Sequence, residues 1–78
     1  MTVGICFAGQ LDADAADVER YLDRLNVQFH NYYYDPRTDE TCLEVGLTWG
    51  SLYETPEALA MHLEDMYDAI EAWVEYVD

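Results

Sequence analysis

The 78-residue chain carries seventeen Asp and Glu residues against three Arg and no Lys, a formal net charge of −14 at pH 7. A compact domain this acidic repels itself, because its exposed carboxylates cannot all sit beyond the Debye length of about 8 Å at physiological salt. Any fold the chain adopts must tolerate that repulsion. Solubility alone asks for a net charge of only about 2 to 8 in magnitude. The excess therefore points to a basic partner.

An apolar fraction of 51% and an aromatic fraction of 14% are too high for an acidic disordered tail, which would have no surface to bury. Residues 1–78 form one domain with one small core, near the size where burial only just offsets chain entropy. The apolar stretch from Thr2 to Ala8 is short, with no basic region before it and no cleavage pattern after it, so neither a targeting segment nor a membrane span is expected. The expected location is the cytoplasm. Cys6 and Cys42 stand apart in the sequence, neither in a Cys-x-x-Cys pair, and predict two buried or half-buried thiols rather than a disulfide framework or zinc site.

Thr2 to Ala8 is rich in β-branched and aromatic residues and stops at Gly9, which reads as a buried strand, central or well covered. Leu11, Ala15, Val18, Leu22 and Leu25 then recur at three- and four-residue spacing, one apolar face of a helix capped by Asp12 or Asp14. Residues 27–34 and 41–49 predict a hairpin around Asp35-Pro36-Arg37-Thr38-Asp39-Glu40. In its second strand Leu43, Val45, Leu47 and Trp49 alternate with Cys42, Glu44, Gly46 and Thr48, which assigns an inner and an outer face. Thr55-Pro56-Glu57 is a helix start. From there Leu59, Leu63, Met66, Ile70, Trp73 and Val77 alternate spacings of four and three, predicting a helix that runs to the terminus. The expected class is α/β of the α+β kind, in the order β-α-β-β-α, with two helices on one face of a three-stranded sheet. A coiled-coil dimer would use the same last stripe, but its charge would repel a parallel copy and a small sheet needs a covering helix, so a monomer is expected.

Sites for chemistry are sparse. His30 and His62 have no cysteine or second histidine at ligand spacing, so neither metal nor cofactor is expected. Asp12, Asp14 and Asp23 match positions one, three and twelve of an EF-hand loop, but Ala16 and Asp17 occupy positions five and six, where a ligand and an obligatory glycine belong. No phosphate loop or nucleophile constellation is present, and an enzyme is not expected. Direct nucleic-acid binding is disfavoured, because phosphate contacts need Lys and Arg, and Arg20 lies three residues from both Asp17 and Asp23.

The carboxylates themselves carry a pattern. On the expected last helix Glu57, Glu64, Asp68, Glu71, Glu75 and Asp78 follow spacings of seven, four, three, four and three. The last five would lie roughly 4 to 6 Å apart along the axis, comparable with phosphates along a DNA strand. An ordinary amphipathic surface would mix signs for i,i+4 support, yet residues 38–78 contain no Lys or Arg. Glu57, Glu64, Asp68, Glu71 and Glu75 are thus the expected partner-binding face, with Tyr32 and Tyr34 from the Tyr32-Tyr33-Tyr34 run as anchors and Tyr53 nearby.

In size, charge, aromatic content and compact α/β layout the chain resembles the small acidic inhibitors of phages and mobile elements, the anti-CRISPR and anti-restriction proteins. The resemblance is one of type and carries no individual residues over. It implies a stoichiometric inhibitor acting as a DNA mimic, which occupies the Lys/Arg-lined channel of a nucleic-acid-binding partner, a Cas surveillance complex or a nuclease, in the host-cell cytoplasm. Two other readings share the composition. One is an immunity protein against a basic nuclease toxin. The other is a domain adapted to high salt, although such proteins thin out large hydrophobic side chains, whereas this chain has seven Tyr, two Trp, two Phe and three Met.

Overall fold

A computed structural model of the chain describes residues 1–48, 55–68 and 71–78. The elements are β1 (Thr2–Ala8), α1 (Ala15–Arg24), β2 (Gln28–Asp35), β3 (Glu40–Gly46), α2 (Pro56–Met66) and β4 (Ala72–Val77). The class is α+β, but the sheet has four strands, not the three expected, in the order β2-β3-β1-β4 with every neighbouring pair antiparallel. Each helix therefore joins two parallel strands that flank one antiparallel strand between them. This is the split β-α-β connectivity of ferredoxin-like sheets.

Alternation along the two inner strands divides the sheet into a covered and an open face. Val3, Ile5 and Phe7 of β1 and Leu43 and Val45 of β3 form one buried cluster with Val18 and Leu22 of α1 and Leu59 and Leu63 of α2. Both helices thus cover the same face. Thr41 is fully buried among these apolar groups, and its hydroxyl is satisfied in both directions: it donates to the Gly9 carbonyl (2.9 Å) and accepts from the Leu11 N–H (3.0 Å). Those bonds tie the β1–α1 connection to β3, with Gly9 at φ +85°, a conformation that favours glycine.

The helix starts follow from the sequence. Asp14 caps α1 by accepting from the Asp17 N–H (2.8 Å), and Thr55 caps α2 by accepting from Ala58 (3.2 Å), with Pro56 in the first helical position. Helix α1 closes in a Schellman arrangement: Asn26 is left-handed (φ 57°), its N–H bonds the Asp23 carbonyl, and the Val27 N–H bonds that of Leu22.

The helix expected to reach the terminus ends at Met66. Asp68 takes the left-handed conformation (φ 51°), and residues 72–77 pair with β1 as a strand. Two physical reasons favour this ending. The last turn of α2 carries Glu64 and Asp65 with no cation, which opposes the helix dipole. Ala72-Trp-Val-Glu-Tyr-Val77 is also rich in β-branched and aromatic residues, which suit a half-buried pleated surface. Trp73 and Val77 keep a helical spacing of four in the sequence, but β4 is bulged between them. Tyr76 pairs with Gly4 and Val74 with Ile5, leaving Glu75 as the extra residue. Leu59 and Leu63 do face the core, but Trp73 and Val77 belong to the strand. The expectations for Trp49, Tyr53 and Ile70 lie outside the described residues.

At the end of α2 the Tyr67 ring packs edge-on against Phe7 and Tyr21, with centroids 6.4 and 5.6 Å away. Its hydroxyl is buried with no hydrogen-bond partner among the described residues, and burial pushes the phenol up to about 12. Phenylalanine keeps the ring contacts and removes the unsatisfied group. Tyr67→Phe is therefore expected to stabilise the chain by about 1 kcal/mol, a rise of about 4 to 8 °C in thermal midpoint for a domain of this size. An unchanged or lower midpoint in thermal unfolding would mean that the hydroxyl is satisfied in solution.

Candidate protein-docking face

None of the described helices covers the other face of the sheet, and its register sets out rows of side chains running across the strands. One row is Tyr33, Cys42, Cys6 and Trp73; the next is Asn31, Glu44, Gly4 and Tyr76; a third begins Asp35, Glu40 and Ala8. Aromatic rings thus sit on the outer strands, small residues in the middle, and carboxylates among them.

Bulges in both outer strands produce this arrangement. In β2 the register shifts between Phe29 and Asn31, with His30 as the extra residue, so Phe29 and Tyr32 both pack toward the core and Asn31 and Tyr33 both point outward. In β4 the extra Glu75 lets Trp73 and Tyr76, three residues apart, share the open face. Without the bulge, a spacing of three would send the two rings to opposite sides. Gly4 completes the arrangement, because a Cβ there would overlap the Tyr76 ring. The ring lies across the strand where the side chain is missing.

The carboxylates are fixed from within the face. Glu44 accepts from the Asn31 amide (3.2 Å), and Glu75 accepts from the Trp73 indole N–H (2.7 Å). Burial, and then the Glu44 carboxylate beside it, raises the Tyr76 phenol above its ordinary range. Tyr33 is pushed up to about 12, first by its hydrogen bond with Cys42. Both phenols stay neutral at physiological pH. Cys6 and Cys42 are both free thiols, placed directly opposite each other, and burial followed by the hydrogen bond to Cys42 raises the Cys6 thiol well above the usual range. Cys6 is accordingly a poor nucleophile. Thirty-five residues separate the two thiols in sequence, and only the β1–β3 register brings them together.

Comparison with protein-family models, with curated proteins and with solved structures finds no match.

The residues picked from the sequence do not form one stripe. Glu57 is exposed in the first turn of α2, and Glu64 on the same helix is half-buried, its carboxylate accepting the Ala72 N–H (2.9 Å) that opens β4. Asp68 occupies the left-handed turn, Glu71 precedes β4 and gives its carbonyl to the Ala8 N–H (3.0 Å), and Glu75 reaches the open face. Helix α2 lies on the opposite side of the sheet from Glu75. Tyr32 and Tyr34 both pair with core-facing positions, Leu43 and Thr41, and their hydroxyls donate to the Ala13 carbonyl (3.1 Å) and to Asp39 (2.6 Å). The exposed ring of the run is Tyr33, 50% accessible, joined on the same face by Tyr76 at 43%. Alternation in β3 turns Cys42 outward, but only the bulged β2–β3 register makes Tyr33 its partner.

Among the described residues no group of three or more His, Cys, Asp or Glu side chains is placed to hold a metal ion, and no helix is long and apolar enough to cross a membrane. An open four-stranded sheet bearing aromatic rings can stack unpaired bases. Here Asp35, Glu40, Glu44 and Glu75 stand among the rings and would repel the phosphates that accompany those bases. The same carboxylates attract cationic side chains.

Proposed function

We propose that this chain is a stoichiometric, non-enzymatic inhibitor that occupies the Lys/Arg-lined nucleic-acid channel of a defence complex or nuclease, in the manner of the anti-CRISPR and anti-restriction proteins. The observation that carries this reading is the open sheet face, which combines exposed Tyr33 and Tyr76 with four carboxylates in a chain of net charge −14. Rings of this kind supply buried area at an interface, and the surrounding charge selects a basic surface. The rest of the molecule adds to the field: Asp14, Asp17, Glu19 and Asp23 are exposed on and beside α1, where Arg20 is held by Asp17. Long-range attraction brings the partner in, and the open face holds it. The function is exercised in the host cytoplasm, where such channels meet nucleic acid.

The test is capture of partners from a host lysate by tagged protein at low and moderate salt, followed by competition with duplex DNA. Retention of a nucleic-acid-binding complex that DNA displaces, and that higher salt weakens, is the expected result. Retention of nothing at either salt, or of a complex indifferent to DNA, overturns the proposal.

A further inference from the structure

A concavity of about 150 Å³ opens in the middle of the docking face. Gly4, Cys6 and Cys42 form its floor, Tyr33 and Tyr76 stand on either side, and Asp35, Glu40, Glu44 and Glu75 surround it. Its volume is about half the lower limit for small-molecule and cofactor sites, roughly 300 Å³. It is the size of one long side chain. Its floor is low because a glycine and two cysteines occupy the middle of the two central strands, and its walls are high because bulges turn Tyr33 of β2 and Tyr76 of β4 outward.

Building on the inhibitor reading, we propose that this concavity is a slot for the guanidinium of a single arginine presented by the basic partner. Three features select that group. Two neutral phenol rings flank the slot, and aromatic rings attract a cation held over them, the more strongly the further it is desolvated. Carboxylates on several sides match a planar donor fork, which an ammonium does not present. The weak hydration of guanidinium lets it enter a half-apolar slot at lower desolvation cost than lysine. Glu44, already positioned by Asn31 and lying in the row of Tyr76 beside that of Tyr33, is the carboxylate best placed to accept from it.

The test is an NMR titration of the full chain at low salt with N-acetyl-arginine amide, with N-acetyl-lysine amide and NaCl as separate controls. Saturable shifts should concentrate on the amides of Gly4, Tyr33, Cys42, Glu44 and Tyr76, with the arginine probe at least about threefold tighter than the lysine probe. Glu44→Gln should weaken arginine binding about 5- to 10-fold, and Tyr33→Leu should remove the preference over lysine, whereas Asp23→Asn on α1 should change neither. Amide spectra of each variant establish that the sheet is intact. Shifts spread over every acidic surface, equal for the two probes and unaltered by Glu44→Gln, would overturn the slot. Failure of the slot is separable from failure of the inhibitor reading: a complex captured equally well by native protein and by folded Glu44→Gln and Tyr33→Leu variants refutes the slot alone. Capture of nothing by native protein, with the local arginine response intact, refutes the inhibitor reading alone.

Discussion

Replacing Glu40, Glu44 and Glu75 together by lysine is expected to abolish retention of the captured partner, with a loss of at least about 100-fold in affinity and no loss of fold. Each reversal turns an attraction at the docking face into a repulsion, and all three sites lie around the same concavity. The effect should appear mainly in the dissociation rate. An equal reversal on the helical side, at Asp23, Glu57 and Asp65, changes net charge by the same amount but leaves the open face untouched. It should slow association, because steering depends on total charge, while leaving residence time close to native. Surface plasmon resonance separates the two rates. If the helical reversal abolishes binding and the sheet reversal does not, the docking face is on the helices. Reversal of Glu64, Asp68 and Glu71, which the sequence alone recommends, is a poor probe. Glu64 accepts the Ala72 N–H at the start of β4, so its loss would confuse binding with folding.

The second large effect concerns stability. Ile5 is fully buried in β1, paired with Leu43 on one side and Val74 on the other, in the core that both helices cover. Truncation to alanine removes apolar contacts in a place where neighbouring strands cannot collapse, so Ile5→Ala should cost about 3 kcal/mol. For a domain of this size that is a fall of roughly 12 to 24 °C in thermal midpoint, against a total stability of only about 4 to 12 kcal/mol. Val77→Ala, near the end of β4 and 53% exposed, should cost under about 1 kcal/mol. Near-equal losses in denaturant unfolding would contradict the central position of β1.

Much of the covered side of this protein is legible along the chain. The alternation of Leu43, Val45 and Leu47, the cap at Thr55, and the apolar spacing of Leu11, Val18, Leu22 and Leu25 rest on local rules of pleat, helical turn and capping geometry and reappear in the fold, where Asp14 rather than Asp12 caps α1 and Ala15 of the same spacing is exposed. The last segment was misread for an equally local reason. Trp73 and Val77 lie four residues apart, a helical spacing, but in the strand they pair with Cys6 and Val3 on opposite faces of β1 because Glu75 is bulged between them. No glycine or proline between Pro56 and the terminus marks the break that Asp68 makes.

The amino-acid sequence by itself determined the sign and size of the charge, the class of the fold, both helix starts and the identity of most core residues, because these depend on composition and on neighbours within one turn or one pleat. Only the tertiary structure decided that residues 72–77 complete the sheet, that Cys6 meets Cys42, and that Tyr33 and Tyr76 rather than Tyr32 and Tyr34 are exposed around the carboxylates. Those outcomes follow from strand order and from two bulges. They are set by which distant strands pair and in what register, a choice made by the whole core at once and visible in no single segment.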